Sequence, residues 1–94
     1  MLHILQLIWD DWNVEHIAQH DITPQEVEEV CASEHIMLET YGYRVMIVGL
    51  TTAQRFVSVV LAPKEHGVYY PVTARPSSRR ERQYYSEQKG GVVV

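Results

Sequence analysis

The chain has 94 residues, 46% of them hydrophobic and 21% charged, the make-up of one soluble globular domain with a single core rather than of a disordered or membrane-embedded chain. Its net charge of -4 is unevenly spread, with -7 over residues 1–71 and +3 over 72–94, which suits one face for a polyanion and another for a basic partner. A lone cysteine, Cys31, excludes an intramolecular disulfide and reads as a small core residue in a reducing cytoplasm.

The opening apolar stretch to Trp9 is too short to span a bilayer and lacks a basic lead and a cleavage signature, so neither a membrane segment nor an export signal is expected. Ile4 to Trp9 fits an edge strand or an extended arm. Asp10-Asp11 then offers an N-cap for a helix over roughly residues 12–20, broken at Asp21-Ile22. Thr23-Pro24-Gln25-Glu26 is a stronger helix start, because threonine caps, proline is preset for the first turn and glutamate reaches back to the cap amide. Val27, Val30 and Cys31 share one face of this second helix, which should end near Ser33.

From Ile36 the texture changes to β-branched and aromatic runs over 36–40, 45–50, 55–62 and 68–74. The turn-length gaps between them, the last covering Pro63 to Gly67, predict antiparallel hairpins. Beyond Arg75, Ser78 and Glu81 form a third capping pair, and Gly90-Gly91 should stop that helix, leaving residues 90–94 as a tail that frays or docks weakly. The expected fold class is α+β: two N-terminal helices, a four-stranded antiparallel sheet (five with an N-terminal edge strand) and a C-terminal helix, in a single domain spanning 1–94.

Several anchors recur in a familiar order. Trp9-Asp10 is followed by Asn13, His20 closes the first helix, and Thr-Pro-Gln-Glu opens the second. Arg44 leads the strand ending in Gly49, Arg55 opens the next, and Val72-Thr73-Ala74-Arg75 runs into Arg79-Arg80-Glu81-Arg82 and Tyr84. In that order and spacing the chain resembles the BrnT toxin family, whose fold is similar to RelE-type ribonucleases, over nearly its whole length.

The resemblance implies the toxin of a type II toxin–antitoxin system: a cytoplasmic, metal-independent endoribonuclease without a cofactor that cleaves RNA and inhibits translation. It also implies neutralisation by a BrnA-like ribbon-helix-helix antitoxin, with DNA reached only through that antitoxin. Some positions depart from the family pattern. Gln19 and Asp21 flank the histidine where lysine and glycine are usual, Pro76 stands where lysine is common, and Leu61-Ala62-Pro63 lacks a tyrosine. The alternative is therefore a catalytically decayed binding module or co-repressor of the same fold.

Metal-free RNA cleavage requires activation of the 2'-hydroxyl, cations on the phosphate and a proton donor for the leaving oxygen. Arg75 at a strand end and Arg79 one helical turn later can converge on one phosphate, assisted by the amides at the start of the third helix. His20 is the candidate acid or base, and the resemblance implies a place near the sheet face that carries the site; its other reading is a helix cap. Tyr84 either stacks on a base or donates a proton, or else packs on the sheet with its hydroxyl at the edge. Arg44 and Arg55 begin adjacent strands and, facing one side, would touch RNA, or else pair with acids such as Glu39. Arg80 and Arg82 divide between RNA, solvent and antitoxin. His3, His16, His20, His35 and His66 are scattered, and His16 with His20 lacks a third ligand, so no metal site is expected.

Overall fold

The computed structural model describes residues 2–89. Along the chain run β1 (Gln6–Leu7), α1 (Asp11–Ala18), α2 (Pro24–Ala32), β2 (His35–Glu39), β3 (Val45–Leu50), β4 (Phe56–Glu65), β5 (Val68–Pro76) and α3 (Arg79–Gln88). The expected stop at Gly90-Gly91 and the tail after it lie outside the described residues. No described helix is long and apolar enough to cross a membrane.

All three helices open on a reciprocal capping box, in which the cap side chain accepts an amide of the first turn and the third helical residue returns a bond to the cap amide: Asp10 with Asn13, Thr23 with Glu26 and Ser78 with Glu81. Asp21, at φ +63, turns the chain after α1 through the left-handed region, and the Ile22 amide bonds back to the Ile17 carbonyl.

The strands form one five-stranded sheet in the order β1-β5-β4-β3-β2. Strands β2 to β5 pair antiparallel as consecutive hairpins. The N-terminal edge strand does form, but it runs parallel to β5, through Gln6↔Val68 and Leu7↔Tyr69, so the sheet is mixed rather than wholly antiparallel. No hairpin constrains a pair so distant in sequence. Its direction is set instead by Asn13, which is fully buried and donates to the Ile8 carbonyl at 3.0 Å and the Pro71 carbonyl at 3.1 Å, tying α1 to β1 and β5 together.

Strand β4 also runs further than expected, carrying Pro63 inside it and leaving His66-Gly67 as the turn. Proline is tolerated there because β3 ends at the pair Val45↔Leu61, so Pro63 has only β5 beside it and loses no ladder bond to β3. Gly67, at φ +75, is required twice over, since a Cβ there would meet Leu5 Cγ and Cδ1 at 2.7 Å.

Strand alternation sorts the side chains onto two faces. One face contributes Ile47, Val57, Val59, Leu61 and Ala74, which join Ile17 of α1, Ile22, and Val27, Val30 and Cys31 of α2 in the main core. Burial pushes the Cys31 thiol up to about 12, with the Glu28 carboxylate adding to it, as expected of a packing residue. His35 is also buried. Its Nδ1 lies 2.9 Å from the Ser33 carbonyl and its Nε2 accepts the Leu2 amide at 3.1 Å, so the ring is neutral with the proton on Nδ1 and pins the N-terminal segment. The opposite face carries Ile36, Val48, Ser58 and Arg75 in one cross-strand row, and α3 crosses it at this end.

Candidate anion site on the open sheet face

Arg75 projects from the end of β5, beside Ser58 of β4, on the face that α3 crosses. Its guanidinium forks onto Glu81, with Nη1 donating to Oε1 at 2.8 Å and Nη2 to Oε2 at 2.7 Å. Glu81 Oε1 also accepts from the Ser58 hydroxyl at 2.7 Å and from the Ser78 amide at 2.8 Å. Since Ser58 has given its proton to Glu81, the Ser77 hydroxyl, 2.8 Å away, must donate to Ser58. One carboxylate thus caps α3, anchors it to β4 and orients Arg75.

The fork from Arg75, helped by the Ser78 amide and the Ser58 hydroxyl, outweighs burial and holds the Glu81 carboxyl at about 2. The same bonds raise Arg75 above its ordinary value. The Arg75 side chain keeps 39% of its surface exposed whereas Glu81 keeps 12%, so the outer edge of the guanidinium faces solvent while its inner edge is held.

Arg79 and Arg80, the first residues of α3, are exposed next to this pair, where the unpaired amides of a helix start favour an anion. Helical spacing divides the rest of α3. Tyr85 turns inward, its ring edge-on to Phe56 with centroids 5.3 Å apart. Arg82, donating to the Ser77 carbonyl, and Lys89, 3.9 Å from Glu34, lie on the flank that faces the end of the sheet. Tyr84 and Arg80, four residues apart, occupy the other flank, which borders the uncovered part of the face. There the row Leu38, Met46, Val60 and Thr73 is only half-buried. Tyr84 itself stays 39% exposed, and it is Tyr85 that packs on the sheet.

The remaining candidates are placed elsewhere. His20 is exposed after α1, which covers the opposite face, so the structure does not bring it to Arg75. It closes an aromatic ladder instead: Trp12 stacks on His16 with centroids 4.8 Å apart, and His16 meets His20 edge-on at 5.6 Å. Arg44 and Arg55 do begin adjacent strands, but those strands are antiparallel, so the two stand at opposite ends of the pair and do not share a side. Arg55 donates to the Asp21 carbonyl at 2.8 Å and to Glu26 at 3.0 Å, bracing the α1–α2 turn; its acid partners are Asp21 and Glu26 rather than Glu39. Arg44 is exposed at the β2–β3 hairpin.

The charge separation is steep. No lysine or arginine precedes Arg44 while nine acidic residues do, so α1 and α2 make an acidic face and the arginines of β5 and α3 a basic one. Among the described residues no group of three histidine, cysteine, aspartate or glutamate side chains is placed to hold a metal ion. Glu81 as the partner of Arg75, together with Ser58 and Ser77, escaped the sequence reading. The available signal was Ser58, a single hydroxyl inside the apolar run Phe56-Val57-Ser58-Val59-Val60.

No protein-family model and no curated protein matches the chain. Among solved structures, the ribonuclease toxin BrnT of Brucella abortus matches with a TM-score of 0.64 at 19% identity, over 80% of this chain and 99% of that one. The three helices and the mixed five-stranded sheet of the described residues are thus those of a BrnT-like fold.

Proposed function

We propose that the protein is the ribonuclease toxin of a toxin–antitoxin pair, acting on RNA at the open sheet face around Arg75 to inhibit translation in the cytoplasm. The observation that carries this reading is the Arg75–Glu81 fork, which presents a rigidly held guanidinium beside Arg79, Arg80 and a helix start on the toxin fold. A guanidinium fixed on one edge and open on the other is prepaid in orientation for a phosphate.

In cleavage, the 2'-oxygen gives its proton to solvent water and attacks the phosphorus, the bond to the 5'-oxygen breaks, and that oxygen takes a proton from the Tyr84 hydroxyl, which regains one from solvent. Arg75 holds the phosphate as its charge builds, with Arg79 and Arg80 adding long-range attraction. Glu81, ionised far below neutrality, acts by positioning Arg75. Tyr84 is the proton-bearing group that α3 offers to this face; His20, on the other side of the sheet, is not assigned the proton step. No metal or cofactor enters this scheme. The acidic α1–α2 face, with Glu28 and Glu29, is the surface for basic segments of a ribbon-helix-helix antitoxin, through which alone DNA is reached.

A second reading, a decayed binding module or co-repressor, draws on the separation of His20 from Arg75 and on the full engagement of the inner Arg75 edge by Glu81. Expression separates the two. Wild type should arrest growth with loss of cellular RNA and Arg75→Ala should not; growth unaffected by either protein overturns the ribonuclease reading.

A further inference from the structure

The uncovered face continues from Arg75 to the far end of the sheet, where the β2–β3 hairpin Tyr41-Gly42-Tyr43-Arg44 stands clear of the fold. Tyr41 is 92% and Tyr43 95% exposed, the two most exposed aromatic rings described, and neither contributes to the core. Gly42 holds the turn at φ +67 with nothing within 4 Å of its missing side chain. A pocket of about 240 Å³ opens at the base of the turn, lined by Leu38, Thr40, Gly42 and Arg44, with Glu39 the one carboxylate in it. Across the same end of the sheet Lys64 lies over the Tyr70 ring, 5.6 Å from its centroid, while the Tyr70 hydroxyl donates to both carboxylate oxygens of Asp10 at 3.0 Å.

Cations and stackable rings therefore bracket a half-buried apolar floor at both ends: Arg75, Arg80 and Tyr84 at one, and Arg44, Lys64, Tyr41 and Tyr43 at the other. From the Arg75 row to Arg44 is four residues along β3 and two strands across, roughly 16 Å. That span suits a few nucleotides of extended single strand. Aromatic rings beside cations bind unpaired bases and their phosphates together, which a double helix cannot offer because its bases are stacked inside.

We propose that the β2–β3 hairpin is a second RNA subsite, where Tyr41 and Tyr43 stack on unpaired bases and Arg44 and Lys64 hold adjoining phosphates of the strand engaged at Arg75. The proposal rests on the reading of the arginine face as RNA-binding, and it makes single-stranded RNA of several nucleotides, not a dinucleotide or a duplex, the substrate class.

The test is the affinity of the whole chain for a labelled single-stranded oligoribonucleotide of about twelve residues, methylated on its 2'-oxygens so that it cannot be cut. Tyr41→Ala with Tyr43→Ala should weaken binding by at least about tenfold, since each stacked base contributes on that scale. Phenylalanine at both positions should restore it to within about twofold, because the ring and not the hydroxyl does the stacking. Binding of the same sequence as a duplex should be indifferent to these changes. Both positions are solvent-exposed, so unchanged thermal unfolding checks that the fold is intact. If the double alanine variant binds the single strand like wild type while Arg80→Ala weakens it, the hairpin subsite is overturned, the arginine face survives, and the tyrosines are left to a protein partner. If wild type shows no salt-sensitive affinity for the single strand, the reading of the arginine face falls, and the subsite with it.

Discussion

Replacing Glu81 with glutamine removes the charge that holds Arg75 while keeping a side chain able to cap α3. A carboxyl held at about 2 rather than at its ordinary 4.5 carries roughly 3 kcal/mol of preference for the ionised, paired form. The 39% exposure of Arg75 lets solvent screen the pair, which reduces the stabilisation to about 1–2 kcal/mol. Because the folded-state value is depressed, this contribution is present above the unfolded value of 4.5 and disappears as pH falls from there toward 2.

Urea denaturation should therefore show Glu81→Gln about 1–2 kcal/mol less stable than wild type at about pH 7, with the gap closing at about pH 3. The difference between the two proteins isolates this pair from Asp10 and Glu29, whose carboxyls are also lowered, chiefly by the Asn13 and Thr52 amides. A gap that stays constant across this pH range would refute the assignment of the stabilisation to the charged fork.

The packing sets three further expectations. Asn13→Ala should cost about 2–4 kcal/mol in urea denaturation, because it strips the α1 capping box and leaves the Ile8 and Pro71 carbonyls without their shared donor; a loss under about 1 kcal/mol would deny Asn13 its tying role. Gly67→Ala combines a left-handed backbone with a 2.7 Å collision against Leu5, and should lower the unfolding midpoint and raise exchange of the Gln6 and Ile8 amides, which bond to the Gly67 and Tyr69 carbonyls, ahead of the β3–β4 ladder. His35 is held neutral, with a pKa lowered mainly by burial, so wild-type stability should fall as pH drops below the ordinary histidine value of 6.5. His35→Gln should be less stable near neutrality but lose that acid dependence; an unaltered pH profile would show that other groups set it.

Much of the local architecture was legible because its signals are short-range. Thr23 with Glu26 and Ser78 with Glu81 mark helix starts within four residues, and Val27, Val30 and Cys31 reveal the buried face of α2 by spacing alone. What escaped depends on distant partners. The direction of β1 is decided by Asn13 reaching Pro71, 58 residues away. Pro63 looked like a turn because nothing local reveals that β3 stops short of it. The Arg75–Glu81 fork was hidden by the capping box itself: one role accounted for Glu81, and only the backbone path from β5 into α3 shows that its second oxygen serves Arg75. Arg44 and Arg55 looked like companions in sequence, yet antiparallel pairing sends the starts of neighbouring strands to opposite ends.

The parallel seam between β1 and β5 also orders events during synthesis. Residues 6 and 7 find their partners only at 68 and 69, and Asn13 waits for Pro71, so a segment made some sixty residues ahead of its partners is among the last to be locked. Until β5 has been made, α1 and α2 can gather on the β2–β4 hairpins but the sheet edge stays open and Arg75 and α3 do not yet exist. A nascent chain would thus carry its acidic face before its basic one, a window in which a basic partner has a docking surface and RNA does not.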